Sequence, residues 1–307
     1  AGAEGMRDCA GYPLRAVPVT PPPVERLIVG KQVDEAAALL PRIFNLCRTA
    51  QEIAARAAFG LPLAARWQDA LRTEIIRQHV MKLCLEWPSL LSLPAIPLPR
   101  DWQTNHDALR SAMFGPESAL PQNLDAFNHW LASGNGASQT LRAISARFAP
   151  GEAVRKPSPT ANAQHVFKPL AQENSAAARQ AAHPFLRQIE AHWGRGPLWS
   201  ATGVAVDLEA QLDGAEPQTS LKDGRAVVPA ARGFYGVKAR VQRGKVIFFK
   251  RITPTDHLLS EGGALAQSLA TLPQRKAAAL APLVLSILDP CHQVELEPAT
   301  AREPAHA

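Results

Sequence analysis

No stretch of this 307-residue chain approaches the roughly 18–20 consecutive apolar residues that a membrane helix needs. The longest candidate, residues 277–288, is short and broken by Pro282. No apolar leader and no twin-arginine signal is visible at the start. Cysteine is scarce. Four residues, at positions 9, 47, 84 and 291, show no close pairing, which argues against a disulfide framework and for reduced thiols in a cytoplasmic protein. Charge is not concentrated either. The net charge is +6, but Lys and Arg are scattered without a dense run or interleaved aromatics. That pattern does not indicate nucleic-acid binding; it fits a mildly basic surface, or one that meets an acidic protein. Internal repeats are absent. What remains is ordinary for a globular protein: 46% hydrophobic and 20% charged residues, in a chain long enough to bury a substantial core.

The pattern divides unevenly. Residues 1–25 read as a tail or strand region, of which residues 1–5, before Met6, are set aside. Residues 26–149 form a helical segment. Asp34 suits the start of a short helix through Leu40 that Pro41 interrupts, and alanine enriches residues 49–59. In residues 66–87 the apolar positions Leu71, Ile75, Ile76, Val80, Leu83 and Trp87 make one buried helical face, and Pro88 should end it. Two short helices lie within 123–148, on either side of Gly134-Asn135-Gly136. Residues 150–175, rich in Pro, Ala, Ser and Asn, read as a linker or a long surface loop. Residues 176–297 return to the same core: a helix over 176–191 with a break at Pro184, a β-hairpin over 236–241 and 245–250, and a helical region over 265–288 interrupted at Pro273 and Pro282. Residues 298–307 read as a disordered tail. The expected class is mainly α with a small β-hairpin element.

The residues that carry chemistry are few and lie far apart. Arg42-Ile43-Phe44-Asn45-Leu46-Cys47 is followed by Gln51, and Leu288-Asp289-Pro290-Cys291-His292 lies near the other end. Between them come Ala230-Ala231-Arg232-Gly233, Gly244-Lys245-Val246-Ile247 and Ile252-Thr253-Pro254-Thr255. Taken alone, Cys47 reads as a small packed side chain, and so does Cys84 on its apolar stripe. His79, on the same stripe, reads as a hydrogen-bonded core histidine. Cys9 has no assigned role. Arg232-Gly233 by itself is no more than a bend before a hairpin.

As an ordered series, however, these fragments resemble a shortened large subunit of a nickel–iron hydrogenase, chiefly over residues 26–90 and 226–297. The resemblance places Cys47 and Cys291 at one cysteine position of each of the family's two metal-binding pairs. Phe44 and Val294 stand where the other two cysteines belong. Gln51 and Glu297 stand for the two histidines, Gln78 for an aspartate, and no clear counterpart of the proton-transfer glutamate lies around Gly11. The pattern is similar to the HupK/HoxV group of hydrogenase formation proteins. That resemblance implies a shortened large-subunit-like fold and a maturation role without turnover. It implies a scaffold on which an iron bearing two cyanides and one carbonyl is held by Cys47 and Cys291, with no nickel, because two soft thiolates suit low-spin iron but are too few for the four-thiolate nickel site. Arg232 and Thr255 would then face the cyanides as donors, supported by Arg42, Asp289, Pro290 and Pro254. Partners would be hydrogenase maturation factors and the large subunit itself. Two other readings stay open: a metal-free module that recruits maturation chaperones, and a degenerate hydrogenase with residual activity.

Overall fold

The computed structural model describes residues 14–19, 23–44, 46–168 and 170–298. Cys9, Gly11 and most of the expected C-terminal tail therefore lie outside the described residues. The chain is mainly helical with two antiparallel sheets. The strands are β1 (Leu14–Pro18), β2 (Ser220–Lys222), β3 (Arg225–Ala230), β4 (Gly233–Gln242), β5 (Lys245–Ile252) and β6 (Val294–Pro298). β1 pairs with β6 and so joins the two ends of the described chain. β2 to β5 form a four-stranded meander. The expected hairpin is thus the β4–β5 half of a larger sheet.

The sheet buries one face and half of the other. Alternation puts Ala226, Val228, Tyr235, Val237, Ala239 and Phe249 on the face that packs against the alanine-rich helix Arg48–Ala58. Small side chains let that helix lie close to the strands. On the opposite face Val227, Phe234 and Ile252 meet Val166 and Phe167. The stretch expected as linker or loop therefore lies on the sheet, with no helix among its described residues. Arg155 clamps it to the helices: its guanidinium donates to both oxygens of Glu173, at 2.7 and 2.9 Å, and to Ser200 Oγ at 3.1 Å. All three residues are buried. Burial opposes ionisation of Glu173, but the Arg155 charge and hydrogen bonds outweigh it and hold the carboxyl below the usual carboxylate range.

A second core surrounds the helix Pro197–Leu212, which is buried on nearly every side. Such a helix must be apolar all round. Its one fully buried acid, Asp207, is thus conspicuous. Asp207 Oδ2 lies 2.7 Å from His79 Nε2, and Arg179 donates to Oδ1 and Oδ2 at 3.1 and 2.6 Å. Gln180 Nε2 adds a bond of 2.7 Å. His79 is accordingly a hydrogen-bonded core histidine.

Three prolines behave differently from the expectation. Pro282 lies inside the continuous helix Gln274–Leu288 rather than interrupting it. Pro41 lies inside the helix Val33–Ile43 and near its end, where the lost N–H and the clash with the preceding turn involve only the last residues. Pro88 does not end its helix either. After Trp67–Met81 the backbone makes a π turn, Lys82–Glu86, in which Trp87 N–H bonds to Lys82 O. The extra residue resets the hydrogen-bond ladder, so Pro88 falls at the first turn of a short helix, Trp87–Leu90, where its missing N–H is harmless.

Gly233 opens β4 at φ +135°. A Cβ there would lie 2.7 Å from Asn174 O. Gly233→Ala should therefore cost of order 1–3 kcal/mol, from backbone strain and the clash together. A thermal midpoint unchanged by that substitution would show that the Arg232–Gly233 turn relaxes freely.

Candidate functional site

Cys47 is the N-cap of the helix Arg48–Ala58 and sits in the left-handed region, at φ 51° and ψ 42°. A non-glycine residue there is strained and persists only where its surroundings fix it. Glu74 does much of the fixing. Its carboxylate accepts from Thr49 N at 2.8 Å and Ala50 N at 3.3 Å, satisfying two amides that a helix start leaves open. Cys291 arrives from the other end of the chain. The helix Gln274–Leu288 ends at Asp289, also left-handed at φ 51°, and the chain turns through Pro290. Cys291 N then donates to Thr255 Oγ1 at 2.6 Å. Thr255 is held in turn by the short helix Pro254–Leu258, whose start is closed by a reciprocal Thr253–Asp256 capping box.

Both cysteines line one cavity, together with Phe44, Gln51, Tyr235, Arg251, Pro254 and His292. The Arg251 guanidinium stacks over the Phe44 ring at 4.3 Å, so the residue standing for a family cysteine forms an apolar wall. Gln51 Nε2 donates to Leu46 O at 2.7 Å, while its Oε1 has no hydrogen-bond partner among the described residues. Val294, at the other missing cysteine position, is buried on β6 among aliphatic side chains. Glu297 pairs at the surface with Arg15, at 2.8 Å. Among the described residues, no three His, Cys, Asp or Glu side chains converge as a metal-ligand set.

Arg232 stands behind the sulfurs. Its NH1 lies 3.6 Å from Cys47 Sγ and its Nε 2.8 Å from Asp289 Oδ2. Lys82 Nζ, turned inward by the π turn, lies 2.8 Å from Asp289 Oδ1. Asp289 therefore ties two cations together at the place where the two ends of the site meet. The backbone on either side of Arg232 is held by Arg179, which donates to Ala230 O at 2.9 Å and Gly233 O at 3.3 Å. Through Arg179, the buried Asp207 fixes the turn that presents Arg232. Burial alone would raise the Asp207 pKa, but Arg179 and His79 outweigh it and hold that carboxyl well below the usual range.

The residues singled out in the sequence thus separate into groups. Cys47, Cys291 and Pro254 line the cavity. Arg232 touches the Cys47 sulfur from behind, and Thr255 Oγ1 accepts from the Cys291 amide. Asp289 and Pro290 shape the turn into Cys291. Arg42 is exposed in the last turn of its helix and is not part of the cavity wall. Lys82, Glu74, Arg179, Asp207 and Tyr235 were missed. Only Asp207, a lone buried acid in an apolar helix, left a readable mark.

Electrostatics favour neutral thiols in the cavity. Burial, with the neighbouring Cys291, pushes the Cys47 thiol up to about 12, against the lowering pull of Arg232. Burial also raises Cys291, opposed by Arg232 and the Thr255 hydroxyl. Cys84, packed in the core at 3.3 Å from Met113 Sδ, is pushed up to about 12 by burial. The sign of the pH effect follows. Below the ordinary thiol pKa of 9.0, Cys47 and Cys84 are protonated in both folded and unfolded chains. Between pH 9 and about 12 only the unfolded chain ionises, so stability falls as pH rises, by up to about 1.4 kcal/mol per pH unit for each thiol. Urea midpoints on the two sides of pH 9 should show the loss, and Cys47→Ala with Cys84→Ala should reduce it, leaving the share of Cys291.

No protein-family model matches the chain. The hydrogenase expression/formation protein HupK of Rhodobacter capsulatus is 46% identical over 295 residues, covering 95% of each chain. The hydrogenase expression/formation protein HupV of Azotobacter chroococcum mcd 1 is 24% identical over 326 residues, covering 89% of this chain and 90% of the relative. Among solved structures, the reduced nickel–iron–selenium hydrogenase of Desulfovibrio vulgaris Hildenborough superposes with a TM-score of 0.51 at 12% identity, over 92% of this chain and 96% of that one. A variant of the same enzyme gives 0.50 at 11% identity, over 92% of this chain and 99% of that one. The fold is thus that of the hydrogenase large subunits.

Proposed function

The chain belongs to the family of hydrogenase expression/formation proteins that includes HupK, and from that premise we propose that it holds an iron fragment with cyanide and carbonyl ligands during nickel–iron hydrogenase maturation. The coarse role, in hydrogenase maturation, rests on the relatives. The finer reading rests on one observation: Cys47 and Cys291, 244 positions apart, line the same cavity. An iron that brings three diatomic ligands of its own asks the protein for only two soft donors. Nickel asks for four thiolates, and Phe44 and Val294 supply none.

The chain's residues suit such a cargo in other ways. Loading would release the protons of both thiols, so retention should strengthen as pH rises toward the thiol range. Arg232 would balance the resulting negative charge beside Cys47. The paired cation Lys82 keeps Asp289 satisfied, so Arg232 need not leave Asp289 to do so. The cargo would come from maturation factors and pass to the hydrogenase large subunit, in the cytoplasm. No described helix is long and apolar enough to cross a membrane. The isolated chain should bind no stoichiometric nickel and neither evolve nor oxidise hydrogen.

Infrared spectroscopy of protein isolated from its native host tests the reading. Cyanide and carbonyl bands are expected in the intact protein. Arg232→Leu should weaken retention by roughly 1.5–3 kcal/mol, the worth of a hydrogen bond to a charged group. Unchanged band intensity in that variant would mean that Arg232 is structural only. A band-free protein that still supports maturation would favour the metal-free recruiting module, for which the lack of a third protein ligand among the described residues speaks. Hydrogen turnover by the isolated chain would revive the enzyme.

A further inference from the structure

The outer face of the four-stranded sheet carries a row of cations that the cavity does not use. Lys222 on β2 is directly opposite Arg225 on β3, Arg225 opposite Lys238 on β4, and Lys238 opposite Lys250 on β5. Directly opposed residues share a face, so all four side chains stand in one line across the sheet. Two residues further along β4, Arg240 on the same face lies opposite Phe248, with its guanidinium 5.3 Å from the ring centroid. Among the described residues none of these five cations pairs with a carboxylate. Arg225 and Lys238 instead lie over the Phe167 ring, at 5.2 and 4.5 Å. Half-buried Arg225 also donates to Ala163 O and Gln164 O at 2.7 and 3.1 Å, so the exposed charges of the row are chiefly Lys222, Arg240 and Lys250. Like charges placed directly opposite one another destabilise a sheet. Four in succession ask for a counter-charge that the described chain does not supply.

An apolar edge adjoins the row. The β4–β5 register shifts between Arg240 and Val241, so Ile247 is an extra residue without a cross-strand partner. Such a bulge breaks the alternation and re-aims side chains. Here it leaves Ile247 and Phe248 exposed in succession, at 46% and 37%. The row and its edge therefore combine an anion-seeking line with an apolar stripe.

We propose that this face docks an acidic amphipathic helix of a protein partner. Strand spacing sets the row at roughly 4.8 Å per step, about 14 Å in all. Carboxylates at successive i, i+3 and i+4 positions of a helix advance about 4.5–6 Å per step, so a helix lying across the strands meets each cation in turn. Carboxylates on one side of an extended strand recur only every ~6.7 Å and would miss half of them. The exposed aliphatic Ile247 favours an apolar helix stripe over a stacked base. Arg251, on the cavity wall, lies opposite Val237 and so on the other face of the sheet from the row. The inference does not depend on what Cys47 and Cys291 hold.

The test is photo-crosslinking in the native host, with the intact protein carrying benzoylphenylalanine at position 248. The expected product joins this chain to one protein, at a helical segment with carboxylates at i, i+3 or i+4 spacing. Lys222→Glu with Lys250→Glu should reduce that product more than about tenfold, through like-charge repulsion. Reversing the partner's carboxylates should restore it. The same double variant should keep its thermal midpoint or raise it, and should keep any infrared bands, whereas Cys47→Ser should leave the crosslink intact. A crosslink indifferent to the charge reversal, one to a second copy of this chain, one to nucleic acid, or none at all would each overturn the proposal.

Discussion

Replacing either cavity thiol, Cys47→Ser or Cys291→Ser, is expected to strip the isolated protein of iron-bound cyanide and carbonyl and to cut the yield of active hydrogenase in the host. A hydroxyl is a hard, weak donor to low-spin iron, and among the described residues no third side chain is placed to replace the lost sulfur. The loss should be at least the roughly 10–100-fold that removal of a supporting partner costs a metal site. The two substitutions together should do little more than either alone, because one thiolate cannot hold what two are needed to hold. The proteins themselves should fold: serine is nearly isosteric, and Cys291 is only half buried. Hydrogenase that matures normally in the double variant would transfer the functional reading to the recruiting module.

Asp207→Ala should be the most destabilising single change. It leaves the Arg179 and His79 side chains, both nearly inaccessible, without the carboxylate that satisfies them. Breaking a buried pair from one side costs roughly 3–5 kcal/mol, a large part of the 5–15 kcal/mol that keeps a typical domain folded. A second effect is local. Arg179 would no longer be anchored where it grips Ala230 O and Gly233 O, so Arg232 would lose its place beside Cys47. Asp207→Asn, which keeps the shape and one acceptor, should cost less. Chemical denaturation measures the first effect, and iron retention in Asp207→Asn measures the second. A loss below about 1 kcal/mol in the alanine variant would show that water replaces the carboxylate.

The sequence carried some of this plainly and some not at all. The mainly helical class and the β4–β5 hairpin were legible because periodicity and turn residues are local signals. The likeness to hydrogenase large subunits was legible because ordered fragments survive even where single residues change. The π turn was not: nothing in a 3.6-residue repeat announces one inserted residue, and that residue is what swings Lys82 toward Asp289 and carries the helix past Pro88. Glu74 and Arg179 are ordinary charges within helical stretches and carry no mark in the sequence. Only tertiary contact shows one closing a helix start and the other gripping a turn. Thr255 shows the same limit from the other side. The motif indicated its place near Cys291, but not that its oxygen would serve the Cys291 amide.

The strand pair β1–β6 has a bearing on timing. Cys291 lies three residues before β6, and β6 has only β1, at the opposite end of the described chain, to pair with. During synthesis nearly all helices and the whole meander can form while the cavity still lacks one wall. Closing the longest loop in the molecule is the slow, entropically costly kind of contact. Under the proposed function, a nascent chain that has not yet exposed Cys291 offers Cys47 alone, so an iron fragment could be held by both thiols only after residue 291 has emerged and β6 has closed on β1.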